Sequence, residues 1–185
     1  MMKFWPQITR ENPLRPRINR TPSPLIARGT PWLTVMLGSL VPALWLIASA
    51  PVLPPFGFLL FLSWRQLRPG LLPVWAGLPL GMVDDLFSGQ PFGSAVLLFS
   101  AAAIAVDLIE ARLPWRNFLT EWLVAIGFIM VYIFIALALA NLDGARTPLR
   151  VTWPQIVISI LAYPLVGRFV ALADRFRLIP VAVIR

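Results

Sequence analysis

Between Leu119 and Ala140 the chain carries one charged side chain, Glu121, and little else that water would hold. A run of that length matches the roughly 20 residues needed to cross a bilayer as a helix. In hydrocarbon the backbone must satisfy its own polar groups, so such a segment is restricted to helical geometry. The rest of the sequence repeats the pattern less purely. Its 185 residues are 58% hydrophobic and 13% charged, far too apolar for an ordinary water-soluble domain. The chain reads as all-α, a polytopic integral membrane protein.

Six apolar stretches are expected to be transmembrane helices. They run from Pro31 to Ala50, from Phe56 to Trp64 (short or tilted), from Leu71 to about Ser88, from Phe92 to Ile109, from Leu119 to Ala140, and from Thr152 to about Leu172. Pro51, Pro54 and Pro55 mark one outer turn, Ser88-Gly89-Gln90-Pro91 a second, and Asn141 to Val151 the longest outer loop. Pro164 predicts a kink or short break in the last helix. Glu121 suits a helix amino terminus, and Asp107 and Glu110 are expected to pair with nearby basic groups at the interface. Trp32, Trp45, Trp64, Trp75, Trp115, Trp122 and Trp153 fall mainly near the expected ends, as interfacial anchors do.

The charges orient this layout. Of the 16 Lys and Arg, only Arg146 and Arg150 fall in outer loops, while the other 14 collect on one side, in the two tails, after the second and fourth spans and, as Arg168, near the inner end of the sixth. That is a strong positive-inside bias, with both termini in the cytoplasm. It accounts for the excess of 16 basic over 8 acidic residues without nucleic acid, and adds attraction to membrane lipids. Residues 1–28 read as a Pro-rich basic tail without the apolar core of a secretory signal, 29–174 as the six-helix domain, and 175–185 as a second basic tail.

The chain has no Cys and no His, which removes disulfides, thiolate nucleophiles and histidine-based acid–base or metal chemistry. Neither a cofactor nor a metal site is expected. Asp143-Gly144-Ala145-Arg146 has the wrong spacing for the carboxylate motif of membrane phosphatidyltransferases, so it reads as loop.

One oily stretch has another character, Gly77-Leu-Pro-Leu-Gly81-Met-Val-Asp84-Asp85-Leu-Phe-Ser-Gly89-Gln-Pro-Phe-Gly93. Gly77, Gly81, Asp85 and Gly89 recur every fourth residue, a smooth stripe along a helix that lets a neighbouring backbone come close. Asp84 and Asp85 point about 100° apart. Counted from Leu71, Asp85 lies about 21 Å into the membrane, nearer the outer face. An acid there is costly and is expected to face protein, water or a partner.

The pattern Gly81-x-x-x-Asp85-Leu-Phe-Ser-Gly89-x-x-x-Gly93, followed by an apolar span, resembles the signature of the MreD family of rod shape-determining membrane proteins. Chain length, the six-span layout, and Tyr163-Pro164-Leu165 before a basic tail are also similar to that family. Asp84 departs from the aliphatic residue usual at its position, and the long first tail is atypical. The resemblance implies a non-enzymatic scaffold of the cell-wall elongation machinery in the bacterial inner membrane. It would bind MreC and, through that complex, reach MreB, RodA and the elongation transpeptidase. It further implies a fold similar to the substrate-binding subunits of energy-coupling-factor transporters, with a pocket opening toward the outer face near Asp85. Asp85 and Asp84 are thus the candidate partner-binding or pocket residues, and Gly77, Gly81, Gly89 and Gly93 the packing and turn residues. The alternative is a small-molecule-binding subunit of a transporter, which would copurify with a ligand or an ATPase module.

Overall fold

The computed structural model describes residues 20–21, 24–44, 53–112, 117–144, 146–178 and 182–183. Most of the first tail, including Lys3, Arg10, Arg15 and Arg17, lies outside the described residues, as do Trp45, Trp115, Arg116 and Arg185. Six α-helices follow in order: α1 Pro24–Leu44, α2 Phe56–Leu67, α3 Gly77–Ser88, α4 Ser94–Arg112, α5 Phe118–Leu142 and α6 Trp153–Arg177. Short 3₁₀ turns, Val74–Ala76 and Leu149–Val151, lead into α3 and α6. The only pairing of extended backbone among the described residues is a two-residue antiparallel bridge between Arg20–Thr21 and Ala182–Val183.

Three helical segments, Ser94–Arg112, Phe118–Leu142 and Leu149–Arg177, are long and apolar enough to cross a membrane. Their outward faces carry Leu97, Ile104, Leu123, Val131, Leu161, Leu165 and Phe169, an apolar exterior suited to lipid. The protein is a transmembrane protein.

α2 occupies the centre. The helices α1, α3, α4, α5 and α6 contact one another in a closed ring, and α2 packs against α1, α4, α5 and α6. Every residue from Gly57 to Gln66 is buried, as expected of a helix apolar on all sides. Its 12 residues span about 18 Å, less than the 30 Å hydrocarbon core. Enclosure makes this length tolerable, because non-helical backbone at membrane depth survives where protein covers it. At one end of α2, Gln155 Nε2 donates to the Leu53 carbonyl at 3.0 Å. At the other, the guanidinium of buried Arg65 donates to the Leu72 carbonyl, the Ala103 carbonyl and Asp107.

Several boundaries differ from the sequence reading. α1 begins at Pro24, inside the segment assigned to the tail, because proline is well tolerated in a first helical turn, where its missing N–H costs nothing. The third apolar stretch is not one helix from Leu71: Pro73 precedes a 3₁₀ turn and α3 starts at Gly77, so a uniform helical rise counted from Leu71 does not give the depth of Asp85. Trp64 is an interior residue and not an interfacial anchor; it is fully buried, with Nε1 donating to Thr34 Oγ1 at 2.8 Å. Arg65, read as a topological charge, is buried beside it.

α6 continues through Pro164 without a break. A proline leaves the carbonyl four residues earlier without its helical donor. Here Trp122 of α5 donates its indole N–H to that carbonyl, Ile160 O, at 3.4 Å. The same substitution occurs in α1, where Pro31 deprives the Ala27 carbonyl and Arg177 Nη1 donates to it at 2.9 Å.

Candidate functional site

The α3–α4 hairpin holds the candidate acids and glycines. A Cβ built on Gly77 would lie 2.8 Å from Ser100 Cα and N, and one on Gly81 2.6 Å from Ala95 O and Val96 Cα. These neighbours are backbone atoms of α4, which cannot swing aside as a flexible side chain could. The two helices therefore touch backbone to backbone along this stripe. Gly89, with φ +67°, caps α3 in the left-handed conformation, and Gly93, with φ +96°, makes the entry to α4. A Cβ would find open space at both, so their requirement is conformational.

Asp85 sits across from the first turn of α4. Its Oδ2 accepts from Gly93 N at 2.8 Å and Val96 N at 3.2 Å, and its Oδ1 from Ala95 N at 2.8 Å and Ser94 Oγ at 3.2 Å. The first amides of any helix lack intrahelical acceptors, and α4 has no acid in its own first turn. Asp85 therefore supplies, from the preceding helix, the cap that α4 lacks, with its negative charge at the positive end of the helix dipole. Both oxygens are occupied inside the protein.

Asp84, buried like Asp85, turns toward the helix crossing. Tyr132 of α5 donates its hydroxyl to Asp84 Oδ2 at 3.4 Å. A Cβ on Gly57 of α2 would lie 2.6 Å from Asp84 Oδ1 and would overlap the Ser39 hydroxyl of α1. Four helices thus meet around this carboxylate, and Gly57 gives it the room. The Tyr132 ring stacks on Phe58 with centroids 4.1 Å apart, and Phe58 meets Phe99 edge-on at 5.5 Å. The two neighbouring acids therefore serve different junctions, Asp85 the hairpin and Asp84 the crossing.

The opposite end of the bundle carries the cations. Asp174 of α6 accepts from Arg68 Nη2 and from Arg177 Nε, each at 2.7 Å. Since Arg177 also reaches Ala27, this set ties the end of α2 to α6 and α1. At this end, between α2, α5 and α6, lies a cavity of about 520 Å³ lined in part by Ser63, Gln66, Phe118, Trp122, Tyr163 and Arg168. This cavity lies at the end of the bundle away from Asp85, whose oxygens are taken by the start of α4.

Sequence reasoning missed Arg65, Tyr132 and Gln66. Arg65 directly follows Trp64 at the end of an apolar run, a pattern shared by lipid-headgroup anchors, so nothing local marks it as interior. The capping role of Asp85 did leave a signal: a turn closed by Gly89 brings Asp85 back over a helix whose start holds no acid.

Among the described residues there is no group of three or more acidic, Cys or His side chains that could hold a metal ion. Comparison with known proteins gives no match among curated proteins or solved structures. The family model described as rod shape-determining protein MreD matches residues 30–172, nearly the whole of the six-helix body. The chain belongs to the MreD family of rod shape-determining proteins.

Proposed function

We propose that this protein is a non-enzymatic scaffold of the cell-wall elongation complex in the bacterial inner membrane. It binds MreC and, through that complex, supports MreB, RodA and the elongation transpeptidase in peptidoglycan synthesis. The family match over residues 30–172 carries this reading, since the family determines rod shape and is not an enzyme family. Six embedded helices, with both termini and the Arg68–Asp174–Arg177 end in the cytoplasm, agree with the placement of 14 of 16 basic residues on one side. A layout similar to the substrate-binding subunits of energy-coupling-factor transporters is part of the same proposal and rests on the number of helices alone.

Within this scaffold Asp85 and Asp84 act as positioning residues. Asp85 acts indirectly, by folding the α3–α4 hairpin on which MreC docks, and Asp84 fixes the crossing of α1, α2, α3 and α5 against it. Gly77, Gly81, Gly89 and Gly93 permit the close hairpin on which that form depends. The mechanism is differential binding in the membrane, with no bond made or broken.

Crosslinking of native membranes holding the tagged full chain, followed by purification in mild detergent, tests the assignment. Recovery of MreC is the expected result. Recovery of an ATPase module or a bound metabolite, with MreC absent, would overturn it in favour of a transporter subunit.

A further inference from the structure

The cavity between α2, α5 and α6 contains buried donors with no partner. Ser63 and Gln66 of α2 are 4% and 6% exposed. Ser63 Oγ and Gln66 Nε2 both lack a hydrogen-bond partner among the described residues. Gln66 is not loosely held, because its Oε1 accepts from Tyr163 Oη at 2.8 Å. That bond fixes the amide and leaves Nε2 as the unmatched group. An unpaired buried donor is destabilising; among the described residues the hydroxyls of Ser39, Ser88 and Ser100 are unpaired as well, but only Ser63 and Gln66 stand together on the wall of a cavity, of about 520 Å³, that has room for a partner.

The remaining wall defines the occupant. Phe118, Trp122 and Pro164 present apolar surface, and the exposed cation Arg168 stands at the rim one helical turn beyond Pro164. Glu121 also lines the cavity but is already engaged within the protein. A suitable ligand needs an apolar chain, a neutral acceptor above it and an anion at the rim. The size is in the range of about 300–1,000 Å³ seen for small-molecule sites. We propose that this cavity binds one phospholipid, with an acyl chain along Phe118, Trp122 and Pro164, an ester carbonyl on Gln66 Nε2, and the phosphate on Arg168. In the proposed orientation the lipid comes from the cytoplasmic leaflet. This site is separate from the Asp84 and Asp85 junctions and does not depend on MreC binding.

The test is native mass spectrometry of the full chain, stripped of lipid by exhaustive detergent exchange and titrated with dioleoyl phosphatidylglycerol. One lipid per protein is expected to bind most tightly. Arg168→Gln, at an exposed position that leaves folding intact, should weaken it about tenfold, the size of one lost charge-assisted hydrogen bond. Gln66→Glu keeps the acceptor for Tyr163, replaces the donor with a carboxylate, and should weaken binding as well. Dioleoylglycerol, which has the same chains and no phosphate, should bind as poorly as phospholipid binds to Arg168→Gln, and inorganic phosphate should not compete. Wild-type affinity in Arg168→Gln, equal binding of dioleoylglycerol, or displacement by inorganic phosphate alone would overturn the proposal.

Discussion

The two ends of this bundle solve the problem of polar groups in a membrane in opposite ways. At the Asp85 end, four donors converge on one carboxylate and the two helix backbones are in contact. At the Gln66 end, α2, α5 and α6 line a cavity, and Ser63 and Gln66 hold donors that nothing meets. The Asp85 carboxylate is satisfied without any other molecule, whereas Ser63 and Gln66 carry unmatched donors on the wall of the cavity in which we place the lipid. An acid in an apolar helix is therefore not by itself the mark of a binding site: Asp85 is absorbed by architecture, and the neutral Gln66 is the group left open.

The contrast is broken most severely by Gly81→Leu. Its Cβ would enter the α4 backbone at 2.6 Å, and overpacking with no flexible neighbour to yield costs about 3 kcal/mol or more. Size-exclusion chromatography in mild detergent should show little folded protein. Asp85→Asn is next. It turns an acceptor oxygen into a donor facing the α4 amides, at a cost of about 2–3 kcal/mol, read as earlier unfolding in a detergent denaturation series. Trp122→Phe keeps an aromatic side chain but removes the N–H that serves Ile160 together with part of the indole's packing; the same assay should show a loss of about 1–2 kcal/mol.

Ser63→Ala sharpens the comparison from the other side. It removes a buried hydroxyl that has no partner, so delipidated protein should be unchanged or more stable by up to about 1 kcal/mol. Destabilisation comparable to that of Asp85→Asn would mean that the two ends are satisfied alike.

Much of this was written in local pattern. The run from Leu119 to Ala140 announces α5, described as Phe118–Leu142, and the turn chemistry around Gly89 marks where α3 stops. The sequence did not show that the shortest apolar run, Phe56 to Trp64, is the centre of the molecule. Hydropathy reports how much a segment avoids water, but lipid and protein interiors are equally apolar, so it cannot separate a helix facing lipid from one facing other helices. The same limit hid Trp64 and Arg65, whose partners Thr34, Ala103 and Asp107 come from α1 and α4. Asp85 was legible as exceptional, but the four donors around it follow only from the folded hairpin.

The most direct test is the amount of MreC recovered per mole of folded protein from native membranes, for wild type and Asp85→Asn. This ratio is expected to be unchanged once folded protein is counted, with the loss confined to folded yield, because Asp85 acts from inside the hairpin. A full yield of folded Asp85→Asn protein that no longer recovers MreC would contradict it, and would put the carboxylate at the contact itself.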